Sequence, residues 1–387
     1  MYQLNIDWSD FLNNYWQKKP LLIKNAFSQF VDPISPEILA GLAMESEVDS
    51  RIVTNHNQNW SLHTGPFDNF DLLTDSHSTL LVQAVNHWYA PASSLLNPFM
   101  AIPQWRLDDL MISYSTPKGG VGPHVDQYDV FILQGMGKRH WKVGSIQPVE
   151  STTPHPRLLQ IKSFEPLIDV ILEPGDMLYI PPQAPHEGYA IEPSLNYSIG
   201  FRSPSANELL SGFADYVIDN KLGTKRYYDA FAYPASLSEL KRKEFNQVLP
   251  DEIEALKKMM ISLIEDSSHF ESFLGGFLSQ SRHELDLIED DSITNFDTLL
   301  MRLKQGEALV RLLGIRVLDI NGLLYINGQE IICHNNLFKQ FLKNAFRMTI
   351  DDLNNLSMDN ESKKVLLHLL HEGFWHFEYD EESEDML

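Results

Sequence analysis

The sequence predicts an α+β protein: a double-sheet jelly roll of the cupin type, then a helical region, then a small winged-helix-like unit. Three observations carry this prediction. Between Leu107 and Arg202 short apolar runs alternate with Gly/Pro turns, as in a barrel of many strands. From Ser203 onward the apolar residues recur at helical spacing. After Asp286, helical stretches flank a segment with two Asn-Gly pairs, a strong hairpin signal. The expected domains are 1–205, 206–285 and 286–387.

In chain order, Trp8 to Trp16 has helical apolar spacing, and Lys18-Lys19-Pro20 stops it before a short strand, Leu21 to Ile23. Ser35 as N-cap and Pro36 at the first helical position start a helix through Met44. Arg51 to Thr54, Trp60 to His63 and Leu80 to Val85 read as strands or short helical pieces. Leu110, Ile112 and Tyr114 alternate with Asp109, Met111, Ser113 and Ser115, so one face is apolar and the other carries a carboxylate and two hydroxyls. Further strands are expected at Val130 to Gln134, Arg139 to Val143, Ile168 to Leu172, Met177 to Ile180 and Asn196 to Phe201, with Pro174-Gly175-Asp176 as a turn. Ser205 to Glu208 forms a capping box ahead of Leu209, Leu210, Phe213 and Val217. Pro250-Asp251 opens a second helix with Ile253, Leu256, Met260 and Leu263 on one side, and Phe270, Phe273, Leu274 and Phe277 mark a third. These stripes are more apolar than a small helical layer needs, so a homodimer interface is expected there. The last unit reads as a helix over Thr298 to Gln305, strands at Arg316 to Ile320 and Leu323 to Ile326, and helices at Leu337 to Phe346 and Glu361 to His371.

Composition bounds the partners. An apolar fraction of 43% over 387 residues is ample for a large core. The single cysteine, Cys333, excludes an internal disulfide and a Cys-based zinc site, which suits a reducing cytoplasm. No apolar run reaches the eighteen residues of a membrane span, and the first residues lack the pattern of a signal peptide, so a cytoplasmic protein without a membrane partner is expected. A net charge of −23 repels phosphate backbones and favours a basic protein or peptide over direct nucleic acid binding. The winged-helix-like unit is therefore expected to serve protein interaction or structure, and the acidic run Tyr379 to Asp385 to be solvated.

One stretch carries chemistry. In Gly122-Pro123-His124-Val125-Asp126-Gln127-Tyr128, read as extended, His124 and Asp126 share a face and offer two corners of a metal site. The triplet alone means little, because composition predicts about two His-x-Asp/Glu triplets and the chain has three. The other two, His269-Phe270-Glu271 and His376-Phe377-Glu378, sit in helix-like sequence, where i and i+2 diverge. A third ligand is offered by His186, after the Pro-rich turn Ile180-Pro181-Pro182-Gln183-Ala184-Pro185. Two imidazoles and a carboxylate leave open positions on an octahedral metal, the donor set of non-haem Fe(II) oxygenases; zinc more typically takes four ligands. Arg139 falls on the next expected strand, and inside a barrel its guanidinium would need an anion, best a bidentate carboxylate. An exposed strand arginine is the alternative. By strand parity Tyr128 joins the two ligands, Asp109 pairs with Ser113, Arg139 with Trp141, and Asn196 with Ser198.

The ligands His124, Asp126 and His186, with Arg139 between them, resemble the JmjC family of Fe(II)- and 2-oxoglutarate-dependent oxygenases, built on a double-stranded β-helix. The stretches Trp16 to Pro20, Gly41 to Arg51, Leu81 to Trp88, Gly122 to Val130 and Ser211 to Val217 resemble its bacterial ribosomal oxygenase branch. That resemblance runs to about Leu285 and thins beyond it. It implies iron held by His124, Asp126 and His186, with 2-oxoglutarate and O2 as co-substrates. The far carboxylate of 2-oxoglutarate would meet Arg139, with Ser113 and Asn196 as further hydrogen-bonding residues. It also implies hydroxylation of an arginine β-carbon in a basic protein of the large ribosomal subunit. Asp109 would then take the guanidinium and Tyr128 stack on it, with Asp108 and Asp129 competing for the carboxylate role. Two rivals stand beside this reading: methyl-lysine demethylation, for which the sequence shows no aromatic cage, and a non-catalytic metal-bearing cupin that binds a basic partner.

Overall fold

The computed structural model describes residues 2–56, 59–228, 244, 246–287, 293 and 295–378; the acidic run from Tyr379 lies outside them. The N-terminal part supplies α1 (Trp8–Asn14), β1 (Leu21–Ile23), α2 (Pro36–Leu42), β2 (Ser50–His56), β3 (Asn59–Thr64), β4 (Ser78–Val82) and the short helices α3 (Val85–Trp88) and α4 (Ala90–Ser93). Then come β5 (Leu107–Ser115), β6 (Asp129–Gln134), β7 (Arg139–Gly144), β8 (Ser151–His155), β9 (Leu158–Ile161), β10 (Pro166–Leu172), β11 (Met177–Ile180), β12 (His186–Ala190) and β13 (Ser194–Phe201). An antiparallel sheet in the order β1-β11-β6-β13-β5-β4-β2-β3 and a smaller one, β10-β7-β12, form the jelly roll; β8 and β9 pair separately.

The middle strands of the large sheet are buried on both faces, which is why β6 and β11 read as apolar runs. Phe131 and Leu133 of β6, with Met177 and Tyr179 of β11, turn outward into a core shared with Phe11 of α1 and Leu39 of α2. Val130 and Ile132, with Leu178 and Ile180, turn inward beside Trp141 and Val143 of β7. Each such large apolar side chain contributes roughly 1.5–3 kcal/mol. The same alternation sends Ile112 and Tyr197 outward and leaves Ser113 and Asn196, paired across β5 and β13, facing in.

Two local expectations fail, and one hairpin carries no strand signal in the sequence. The segment 122–128 is not a regular strand: His124 makes one isolated bridge to His186, and the chain then bends before β6. The β8–β9 hairpin was unexpected, because Ser151-Thr152-Thr153-Pro154 has no apolar alternation; Pro154 is tolerated because a two-stranded ribbon has only edges. His376 lies on a short strand rather than a helix; the Leu80–Val85 run, read as strand or short helical piece, is both, ending β4 and opening α3.

Beyond the barrel, α5 (Ala206–Asp219) opens with the expected capping box of Ser205 and Glu208, and α6 (Pro250–Glu265) and α7 (Ser267–Ser279) follow. The last elements are α8 (Phe296–Lys304), β14 (Leu309–Arg311), β15 (Val317–Ile320), β16 (Leu323–Ile326), β17 (Gln329–Ile331), α9 (Asn336–Asn344), β18 (Arg347–Met348), α10 (Ile350–Asn355), α11 (Asn360–His371) and β19 (Trp375–Phe377). Both Asn-Gly pairs turn hairpins with positive φ at each residue, the mirror-image turn that Asn and Gly tolerate best. Helix α7 lies on these hairpins: at Gly275 a β-carbon would come 2.4 Å from the Tyr325 ring.

Candidate metal centre

His124 and His186 are brought together by the backbone. Each donates its N–H to the other's carbonyl at 2.9 Å, so the loop before β6 extends the small sheet by one bridge beside β12. Gln183 N donates to Asp126 O at 2.7 Å, tying the Pro-rich turn to the same loop. The donor atoms of His124, Asp126 and His186 lie within 4.8 Å of one another. Both Nε2 atoms approach Asp126 Oδ2, at 3.8 Å from His124 and 3.4 Å from His186.

The protonation states suit a cation. His124 Nδ1 faces Gly122 O at 2.9 Å and His186 Nδ1 faces Ala184 O at 3.0 Å. A carbonyl only accepts, so in the neutral rings Nδ1 carries the proton and Nε2 keeps its lone pair toward the centre. Burial, reinforced by neighbouring His186, holds His124 down at about 4 and therefore neutral near pH 7. Burial alone would raise Asp126, but the two imidazoles beside it outweigh that and bring its carboxyl to about 2. Two imidazole nitrogens and one carboxylate are the donor set a divalent metal takes, so the residues fit the group their resemblance implies.

These residues open into a cavity of about 230 Å³ lined from both sheets and from the β8–β9 hairpin. Arg139 is buried in its lining, 6% exposed. It donates from Nε to Ser194 Oγ at 2.9 Å, from Nη1 to Ser113 Oγ at 3.0 Å, and from Nη2 to Ser113 O at 3.0 Å and Ser194 O at 3.1 Å. Every one of these acceptors is neutral. Among the described residues no carboxylate forms an ion pair with Arg139, and burial lowers its pKa to about 9. Four bonds leave one of its five N–H donors for the cavity, where a carboxylate would supply the missing charge. Asn196 Oδ1 and Trp141 Nε1, on two walls of the cavity, are also buried without partners. Arg51 and Arg157 add positive charge to the lining in a chain whose net charge is −23.

Tyr128 lines the cavity two residues beyond Asp126, and burial followed by Asp126, Asp109 and Asp108 pushes its hydroxyl pKa far up. The three competing carboxylates separate by geometry. Asp129 is fully buried and consumed by Tyr179 Oη at 2.6 Å, Arg106 Nη2 at 3.0 Å and Gln17 Nε2 at 3.1 Å. Asp108 accepts from Arg282 Nη1 at 3.0 Å. Asp109 is not among the residues lining the cavity, but it joins Gln83, which is, through Nε2 to Oδ2 at 2.7 Å; Ala84 N donates to the same oxygen at 3.0 Å. Bare Gly200 faces this corner, where a β-carbon would stand 3.4 Å from Asp109 Oδ1 and 3.8 Å from the Tyr128 ring.

Sequence reasoning missed Gln160. Its Nε2 donates to Val121 O at 2.7 Å, and the next residue, Ile161, donates its backbone N–H to Pro123 O at 2.9 Å. Gln160 thereby grips the loop whose Gly122 carbonyl orients His124. Gly122 has φ +80°, and a β-carbon there would collide with the Gln160 amide at 2.1 Å. The glycine in Gly122-Pro123-His124 was the available signal, but its partner lies in a polar hairpin that reads as loop.

Comparison with known proteins places this architecture. A family profile described as "JmjC domain" matches residues 94–209, and one described as "ROXA-like winged helix" matches residues 262–376. The chain is 48% identical over 377 residues to the ribosomal protein uL16 3-hydroxylase of Escherichia coli, covering 97% of this chain and 99% of that one. The crystal structure of E. coli ycfD superposes with a TM-score of 0.91 at 48% identity, covering 97% of this chain and all of that one. The structure of the same ribosomal oxygenase in complex with cobalt and 2-oxoglutarate gives a TM-score of 0.87 at 47% identity over 98% of this chain and 100% of that one.

Proposed function

This chain belongs to the JmjC ribosomal oxygenases, and we propose that it hydroxylates the β-carbon, C3, of an arginine in large-subunit ribosomal protein uL16 with Fe(II), 2-oxoglutarate and O2. One observation carries the reading: the His124–Asp126–His186 cluster and the anion-less guanidinium of Arg139 line one cavity, with Arg139 paired to Ala190, four residues along β12 from His186. The three ligands would hold the iron. Arg139 would take the far carboxylate of 2-oxoglutarate, with the Ser113 hydroxyl beside it and the vacant hydrogen-bonding atoms of Asn196 and Trp141 along the way. Arg51 and Arg157 would draw a dianion into the mouth. When bound, iron supplies oxidising power for an unactivated C–H bond as 2-oxoglutarate and O2 yield succinate and carbon dioxide.

The chain's own residues orient and enclose that chemistry. Paired sheets wall the cavity from water, with Trp141, Val130 and Ile132 as its apolar sides. Asp109 and Tyr128 form the corner for the substrate guanidinium, one by charge and one by its ring face. An acidic protein suits a basic ribosomal substrate, and the charge argues against direct nucleic acid binding. The domains divide as 1–205, 206–285 and 286–387, with the middle helices as a homodimer interface and the cytoplasm as the working compartment.

Mass analysis of a reacted uL16 peptide tests the reaction. A gain of one oxygen on an arginine, with succinate formed in step, is expected; loss of methyl groups from lysine would instead establish the demethylase reading. His186→Ala should lower turnover by more than about a hundredfold while the unfolding midpoint stays unchanged. Full activity in that variant would refute the metal assignment.

A further inference from the structure

At the start of β5 the C-terminal module reaches into the barrel. Arg316, just before β15 and 6% exposed, donates from Nη2 to Leu107 O at 2.7 Å and to Asp108 O at 3.2 Å. Its Nη1 reaches Gln280 O at 3.4 Å, so one guanidinium ties the end of α7 to a strand more than two hundred residues upstream. Beside it Arg282 pairs with Asp108, and a ring nitrogen of His283 lies within 4.8 Å of carboxylate oxygens of both Asp108 and Asp109. The barrel answers with His87, whose ring meets His283 edge-on at 5.9 Å and fits against Gly314, where a β-carbon would stand 2.7 Å from it.

The β5 backbone is irregular at this place. Pairing with β13 runs in register from Ser194↔Ser115 to Ile199↔Leu110 and then shifts, resuming at Phe201↔Leu107. Asp108 and Asp109 on one strand therefore face Gly200 alone on the other, the two-against-one arrangement of a β-bulge. In a bulge the ladder no longer dictates backbone orientation, and carbonyls are free for an outside donor. Arg316 takes the Asp108 carbonyl inside the bulge and the Leu107 carbonyl at its edge. Gln83 and Ala84 hold the Asp109 carboxylate itself, and Arg316 holds the backbone one residue before it.

We infer that Arg316 is a positioning residue for substrate recognition. By fixing the β5 bulge it sets Asp109 against Tyr128, so the winged-helix module shapes the corner that receives the substrate arginine. This rests on the proposed substrate role of Asp109 and gives the C-terminal domain a part in specificity while it stays remote from the metal.

The test measures peptide KM, 2-oxoglutarate KM and peptide-independent succinate formation in the full chain for Arg316→Ala, Arg316→Lys, Asp109→Asn and the Arg316→Ala/Asp109→Asn double variant. Arg316→Ala should raise peptide KM about tenfold and leave the other two within twofold. Arg316→Lys, a point charge in place of a fork, should recover only part of the loss. The double variant should be no worse than Asp109→Asn, since both changes remove one contact. Unchanged peptide KM in Arg316→Ala, with Asp109→Asn impaired, would overturn the inference alone, as would multiplicative losses in the double variant. Unchanged peptide KM in Asp109→Asn would overturn the substrate role of Asp109 and this inference with it. Should Arg316→Ala fail to fold, Arg282→Gln removes the neighbouring clamp on Asp108 and should raise peptide KM several-fold; an unchanged value would refute the bulge as the route.

Discussion

At the scale of single residues, the site depends on which atom of each side chain is already committed. Backbone carbonyls occupy Nδ1 of both histidines, so Nε2 is what each has left to offer. Gln160 extends that logic one step outward, since it holds the loop that holds the carbonyl. Gln160→Leu keeps the volume and loses the donor; it should weaken cobalt(II) affinity, followed by visible absorption, ten- to a hundredfold. Affinity within twofold of the wild type would show that the loop holds itself. Arg139→Ala should raise the 2-oxoglutarate KM by at least about tenfold, the worth of one charge-assisted hydrogen bond, and an unchanged KM would remove Arg139 from the co-substrate site. His124, Asp126, His186 and Arg139 could be picked out from sequence because their chemistry is scarce in strand-like surroundings. Gln160 could not, because a lone glutamine between Leu159 and Ile161 advertises nothing until the hairpin is folded against its loop.

At the scale of elements, alternation did most of the positioning. The period of two in β5 and β13 fixes Ser113 and Asn196 inward once Ile112 and Tyr197 are outward, and the sequence carries that parity without knowledge of the partner strand. The segment carrying His124 and Asp126, the proposed metal ligands, followed a different rule. Its two ligands share a centre through one bridge to β12 and a turn pinned by Gln183, not through a continuous strand. Helix α6 has no buried residue; Ile253 is 56% and Met260 66% exposed, while Leu256 is 45% exposed. An apolar stripe left open in one chain is what the proposed homodimer would cover. Met260→Glu should therefore convert a dimer into a monomer in sedimentation velocity at micromolar concentration, whereas a monomeric wild type would dismiss the interface.

At the scale of the molecule, the barrel and the C-terminal module meet through buried polar groups, and one of them titrates. His87 is held down at about 4 by burial, with its bond to Glu284 and the Asp108 charge opposing and His283 and Arg316 reinforcing. The unfolded chain binds that proton near 6.5, so between the two values unfolding takes up a proton and stability falls as pH falls. The loss reaches up to about 3 kcal/mol. Denaturant unfolding between pH 7 and 4 should show a shallower pH dependence in His87→Asn than in the wild type; equal slopes would mean that His87 is not the group responsible. Residue chemistry and period-two patterning, both local properties, were enough by themselves to point to the jelly roll and the hairpins at the Asn-Gly pairs. They also singled out His124, Asp126, His186 and Arg139 as candidates, whereas the burial of Arg139 was left open between two readings. Tertiary structure alone decided that Asp129 is consumed in the core while Asp109 stands beside Tyr128, that Gln160 braces the metal loop, and that Arg316 closes a bulge in β5. Each of those depends on contacts across tens to hundreds of residues, and a linear pattern holds no record of which distant donor will find a given carbonyl.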